Sequence, residues 1–269
     1  MITPCFSTLG CVAYSLEEIL ALAARYRIPA IELRGMEGVV PAAKIPALAP
    51  DRICETASRL AVAVRPVVFG SSIACTEYAR SSENVLTARE EIDLAAALGF
   101  PYVRVFGNRF LDGDETASVR AAAAALTELC AYAARVGLTI LLEVHGDFHR
   151  AETFAALFGQ LVDVENFGLI WDVAHSDDPY GDDWLAFWRV IAPYVRHVHI
   201  KDHRRAVQGM PKRLVLPGEG DIPLVPILRQ LATDGYDGCV SLEWERQWHP
   251  ELPPIEEALD RFTDVLAQA

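Results

Sequence analysis

None of the six cysteines forms a C-x-x-C pair, no G-x-G-x-x-G run occurs, and no apolar stretch approaches bilayer-spanning length, roughly 18 residues. The first absence removes a zinc ribbon or a dithiol motif. Cys5, Cys11, Cys54, Cys75, Cys130 and Cys239 therefore read as reduced, partly buried thiols of a cytoplasmic protein. The second argues against a doubly wound dinucleotide-binding sheet, because the first turn, STLGCVAYS, lacks the glycines that cradle a pyrophosphate. Basic side chains are scarce, 24 against 37 acidic, and the net charge of −13 repels DNA, RNA and anionic membrane. No Lys or Arg precedes Arg25, and no long apolar run follows, so a secretory signal is not expected.

What is present is a hydrophobic fraction of 52% in 269 residues, enough for a substantial core. Short β-type runs alternate with helical patterns from end to end. Thr3–Thr8, PAIELRG, VAVRPVVFG, YVRVFG, LTILLEV, GLIWDVA, VRHVHIKD and CVSLEWE read as eight strands. Helices fall between them, among them SLEEILALAARYR behind a capping Ser15 and SENVLTAREEIDLAAALG stopped by Gly99. Eight strict repeats without a composition break predict an α/β fold, a single (β/α)8 TIM barrel over residues 1–269. The connection after the seventh strand, Asp202–Asp221, is long and basic in an acidic chain, and it reads as a structureless functional loop.

Barrel active sites lie at the C-terminal ends of the strands. Four consecutive strands each deliver one metal-type donor to that rim: Glu143, Asp172, His199 and Glu243, spaced 29, 27 and 44 residues apart. Singly, the glutamates could be rim carboxylates, Asp172 a helix cap and His199 a core histidine. Together they read as one site. Three carboxylates and an imidazole suit one Mn²⁺, Mg²⁺ or Co²⁺ ion, with Zn²⁺ also possible. Without a cation the carboxylates would repel one another.

The strings LLEVHGDFH, IWDVAHSDDP, VRHVHIKDH, PGEGDI and VSLEWE resemble the xylose-isomerase-like barrel superfamily of sugar isomerases and epimerases. That superfamily includes ketose 3-epimerases, hydroxypyruvate isomerase, inosose dehydratase and endonuclease IV. The matching segments span Leu138–Glu245. The resemblance implies metal ligands at Glu143, Asp172, His199 and Glu243, with the two glutamates doubling as an acid/base pair. It also implies substrate contacts from His175 and Arg205. His149 falls where ketose epimerases carry a glutamate, so the surroundings of the site are altered here, with His149 as a further expected substrate contact. Lys201–Asp202 is similar to the K-D pair of inosose-dehydratase-like members.

A divalent ion chelating a carbonyl and a neighbouring hydroxyl stabilises the enediolate formed when the α-proton leaves. Lys201 could stabilise developing negative charge or bind a substrate carboxylate. His203, Arg204, Arg205, Lys212 and Arg213 form a basic run that could clamp an anion or simply be solvated. Arg34, Arg65 and Arg104 stand near earlier strand ends. Trp171, Trp244, Trp248 and Phe148 flank the ligands as an apolar wall or as packing. The endonuclease reading needs histidines from early strands, and none precedes His145. The sequence favours a metal-dependent isomerase or epimerase acting on a small sugar or polyol-derived substrate. An inosose-type dehydratase comes second and a non-catalytic metal-binding subunit third. A homo-oligomer is compatible with all three.

Overall fold

The computed structural model describes residues 2–269. Eight strands close into a parallel barrel: β1 (Thr3–Ser7), β2 (Ala30–Leu33), β3 (Arg65–Ala74), β4 (Tyr102–Phe106), β5 (Thr139–Glu143), β6 (Phe167–Asp172), β7 (Val195–Ile200) and, after two short strands outside the barrel, β10 (Cys239–Leu242). Around the ring the order is β1-β10-β7-β6-β5-β4-β3-β2, so β1 seals against β10 and β2. The expected barrel and its eight strands are thus as read from the alternation of patterns.

The helices that wrap it start and stop for local reasons. In α1 (Leu16–Tyr26), Ser15 accepts from the Glu18 backbone while the Glu18 carboxylate accepts from the Ser15 backbone, satisfying two end N–H groups. Leu16, Ile19, Leu22 and Ala23 form its buried stripe. The third helix ends beside Gly99, whose φ of +79° supplies the left-handed turn. Helix α6 (Val173–Tyr180) starts directly from β6, and Asp172 caps it by accepting from the backbone of Ala174 and His175.

Inside the barrel, residues two apart on each strand share the inner face. A lower layer of Cys5, Ala30, Val68, Leu141, Ile170 and Cys239 is apolar and buried. One step up each strand the same face turns polar, with Glu32 above Ala30, Glu143 above Leu141 and Asp172 above Ile170. A stable apolar floor therefore carries a charged upper layer. The tryptophans face elsewhere: Trp171 stacks on Trp184 and Trp188 at centroid distances of 6.4 and 5.0 Å, and Trp244 is buried. They are packing residues, as is buried Phe148, whereas Trp248 is exposed.

One expectation is corrected. The connection after β7 is not structureless but a hairpin, β8 (Asp202–Arg204) pairing antiparallel with β9 (Arg213–Val215). Its physical cause is Asp202. That buried carboxylate accepts from the backbone N–H groups of His203, Gly218, Gly220 and Ile222, tying both ends of the loop to one point. Gly220 is required there, since a Cβ would lie 1.9 Å from Asp202 Oδ1.

Asp202→Ala should therefore leave four backbone donors short of an acceptor. Hydrogen bonds to a charged group are worth roughly 2–3 kcal/mol, which for a chain of this size corresponds to a loss of roughly 5–10 °C in Tm. A thermal melt by circular dichroism checks this, and an unchanged Tm would mean that the hairpin is held by other contacts.

Candidate active site

The four donors lie at the ends of β5, β6 and β7 and just past β10, where the inner face opens upward. Single atoms from Glu143, Asp172, His199 and Glu243 all come within 4.8 Å of one another, and all four residues are buried. His199 Nδ1 is 2.9 Å from Glu143 Oε1 and 3.6 Å from Glu243 Oε2. Asp172 is both a helix cap and a member of the cluster: Oδ1 caps α6, while Oδ2 faces Lys201 Nζ at 2.8 Å. That Oδ2 is buried and makes no aligned hydrogen bond. It is an oxygen available to a cation.

Three cations surround the carboxylates. Arg104 donates to Glu143 from Nε at 2.7 Å and from Nη2. Arg34 donates to Glu243 Oε1 at 3.0 Å and lies 3.7 Å from Glu32 Oε1. Gly70 makes room for it, because a Cβ there would fall 1.8 Å from Arg34 Cδ. Lys201 Nζ sits between Asp172 and Glu243, at 2.8 and 2.7 Å, and also holds Glu245. Five carboxylates, Glu32, Glu143, Asp172, Glu243 and Glu245, thus face three fixed cations. With His199, held protonated against burial by Glu32, Glu243 and Glu143, as a fourth cation, one negative charge still lacks a fixed counterion, and in a buried setting that deficit is costly. The donor set, an Asp172 oxygen met only by the Lys201 ammonium, and the charge deficit together fit one divalent ion.

The same field sets the protonation of each group. Burial raises the Glu143 carboxyl, but Arg104 and His199 outweigh it and hold it well below the usual range. For Glu243 burial again opposes ionisation, and Lys201 and His199 bring it down to about 2. Burial lowers Lys201, yet Asp172, Glu243 and Glu245 raise it well above an ordinary lysine, so it remains an ammonium ion. His175 goes the other way: burial, then Lys201 and His145, bring it down to about 3, leaving a neutral imidazole. Its ring lies 4.4 Å from that of His145.

A cleft of about 730 Å³ opens beside the cluster, lined by His175, Lys201, Glu245, Leu214 of β9 and Leu252, among others. Lys201 and His175 thus join the four donors at the mouth. Arg205 and His149 are not brought to it. His149 stands half-buried on the loop after β5, outside the cleft lining. Arg205 donates to Asp177 through Nε and Nη2, at 2.9 and 2.8 Å, and to Asp182. Most of the basic run is likewise neutralised: His203 pairs with Asp177, Arg204 with Asp221 and Lys212 with Asp178, while Arg213 lines the cleft without an ion pair among the described residues. These acids, several from α6, were not weighed from sequence, and they turn the expected anion clamp into a brace between α6 and the hairpin. Arg65 reaches Cys239 at the opposite end of the barrel.

Two inner-face residues went unnoticed in the sequence. Glu32 and His197 are wholly buried, and Glu32 Oε2 lies 2.8 Å from His199 Nε2 and 3.4 Å from His197 Nε2. The signal was period two: Glu32 shares a face with Ala30 and Arg34, and His197 with His199.

The chain belongs to the xylose isomerase-like TIM barrel family, whose model matches residues 16–265. Two curated relatives are similar to it: the fructoselysine 3-epimerases of Escherichia coli O157:H7 and Shigella flexneri, each 25% identical over 152 residues, covering 53% of this chain and 52% of that protein. The chain spans about half the length of the curated relatives it matches. Among solved structures, the IOLI protein with a binding zinc atom superposes with a TM-score of 0.78 at 18% identity, over 98% of this chain and 96% of that one. An L-ribulose 3-epimerase gives 0.75 at 17% identity, over 100% and 94%. The probable 3-DHS dehydratase AsbF of Bacillus anthracis gives 0.75 at 17%, over 97% and 99%. At these identities the structural likeness is one of fold.

The brace predicts a pH dependence. Burial raises the Asp177 carboxyl, but hydrogen bonds from Arg205 and His203 prevail and bring it down to about 2 from an ordinary 3.8. A folded-state value below the unfolded one stabilises fully above about pH 4, and the benefit is lost as pH falls toward 2. The Tm gap between wild type and Asp177→Asn should be constant above pH 4 and close between pH 4 and 2. A gap independent of pH would show that the carboxylate charge is not what braces the loop.

Proposed function

We propose that this protein is a divalent-metal-dependent isomerase or epimerase that moves a proton next to the carbonyl of a small sugar. The observation that carries the reading is the convergence of Glu143, Asp172, His199 and Glu243 within 4.8 Å beside an open cleft. These four residues would hold Mn²⁺, Mg²⁺ or Co²⁺, or alternatively Zn²⁺. Such an ion polarises a substrate carbonyl and stabilises the negative charge that develops on its oxygen.

The remaining chemistry belongs to the side chains. Glu143 and Glu243 come from β5 and the end of β10, strands separated in the ring by β6 and β7, so their carboxylates approach the centre from different sides. One removes the proton on carbon and the other returns it. Both are held ionised in the free site, as a base requires, so the group that returns a proton first takes one up from water or from a substrate hydroxyl. Neutral His175 can donate or accept a hydrogen bond at a substrate oxygen without carrying net charge. Lys201, kept as an ammonium ion, offsets developing negative charge and is a poor base. Family membership and the epimerase names of the curated relatives support the same reading.

A second reading, a dehydratase, is favoured by that same Lys201. A buried ammonium beside a carboxylate base and open to the cleft suits the departure of a β-hydroxyl.

Two experiments test these assignments. Purified protein should hold about one divalent ion per chain, and Asp172→Ala and His199→Ala should each lose it. Full occupancy in both variants would refute the ligand set. In D₂O, an isomerase or epimerase should place deuterium on the carbon next to the carbonyl, whereas a dehydratase should release water and form an ultraviolet-absorbing unsaturated carbonyl. Glu243→Gln should lower turnover roughly 10²-fold or more, with some metal still bound. Full turnover in that variant would remove Glu243 as the base.

A further inference from the structure

His199 is the one candidate ligand with two chemically distinct donor atoms, and the structure places a carboxylate against each. Nδ1 faces Glu143 Oε1 at 2.9 Å and Glu243 Oε2 at 3.6 Å. Nε2 faces Glu32 Oε2 at 2.8 Å. Glu32 comes from β2, which is separated from β7 in the ring by β1 and β10, so this contact crosses the barrel interior. Both residues are wholly buried.

A neutral imidazole carries its hydrogen on one nitrogen and offers a lone pair from the other. A carboxylate only accepts, so without an ion both nitrogens donate; an ion at the rim would take the place of the hydrogen on Nδ1, while Nε2 keeps its hydrogen against Glu32. We propose that Glu32 is a positioning residue: by accepting from His199 Nε2–H it turns the Nδ1 lone pair toward Glu143, Asp172 and Glu243. This rests on the metal reading of that cluster. A carboxylate behind a ligating histidine fixes the tautomer and the ring plane and raises the donor's basicity. Arg34 supports the arrangement, since it lies 3.7 Å from Glu32 Oε1 while bonding to Glu243, coupling the charge of the inner carboxylate to that of the rim.

A competing use of the same atoms exists. Glu32, His197 and His199 could themselves hold an ion, their donor atoms also lying within 4.8 Å of one another. That use would require Nε2, not Nδ1, as the donor of His199. The observations favour the positioning role. The rim cluster offers four donors beside an open cleft, whereas the inner trio offers three donors with no exposed surface.

The test is Co²⁺ titration of the full chain by calorimetry, with wild type, Glu32→Ala and Glu32→Gln, together with ¹⁵N-histidine NMR of the Zn²⁺-loaded wild type. Glu32→Ala should raise the Kd for Co²⁺ by about 10–100-fold. Glu32→Gln should raise it less, because the amide oxygen still accepts from Nε2–H. The spectrum should show hydrogen on Nε2 of His199 and metal on Nδ1, a signature that a purely structural role for Glu32 would not require and that needs no variant to fold. An unchanged Kd in Glu32→Ala, metal on Nε2, or two ions per chain would overturn the proposal, the last pointing to the inner trio as a second site. A wild type that binds no ion would refute the metal reading as well, whereas an ion held equally tightly without Glu32 would refute this inference alone.

Discussion

The electrostatic deficit at the mouth of the barrel is the constraint on which the rest of this structure turns. Glu32, Glu143, Asp172, Glu243 and Glu245 cluster there with little or no exposure, and buried carboxylates lose hydration that only cations and hydrogen bonds can replace. Arg34, Arg104 and Lys201 are drawn in from three different strands or strand ends to supply part of that replacement. Even glycine placement follows from it, since Gly70 leaves the space through which Arg34 reaches Glu243. The charged layer survives because the apolar layer beneath it, from Cys5 to Cys239, closes the barrel without needing the site.

A second charged system, separate from the first, shapes the approach to the site. The basic hairpin and the acidic second half of α6 neutralise each other through Asp177, Asp178 and their partners. Asp172 and Asp202 connect the two systems to the backbone: one caps α6 and the other gathers the ends of the hairpin. Both are aspartates for the same reason. A short side chain with two acceptor oxygens can satisfy several neighbouring N–H groups at once. The cleft is bounded by these two elements, so its shape depends on ion pairs that the four-donor cluster does not use.

Much of this was legible along the chain. Alternation of strand and helix patterns determined the barrel, because each repeat must bury one face of a helix against one strand and eight repeats close the ring. The position of a residue at a strand's end determined that Glu143, Asp172, His199 and Glu243 would meet, since every such end opens on one mouth. The capping Ser15 and the terminating Gly99 were equally local, set by backbone groups within one turn.

Contacts between elements distant in sequence were decided only by the tertiary structure. Glu32 looked like one acid in a short strand until closure of the ring set it across from His199. The run from His203 to Arg213 looked like an anion clamp until α6 brought Asp177 and Asp178 against His203 and Lys212. Arg205 matched a family position in sequence and His149 replaced the glutamate of another, but both lie outside the cleft lining. The physical reason is the same in each case. A strand or helix pattern is encoded by neighbours a few residues apart, whereas the partner of a charge is whichever group the closed barrel places within reach of it.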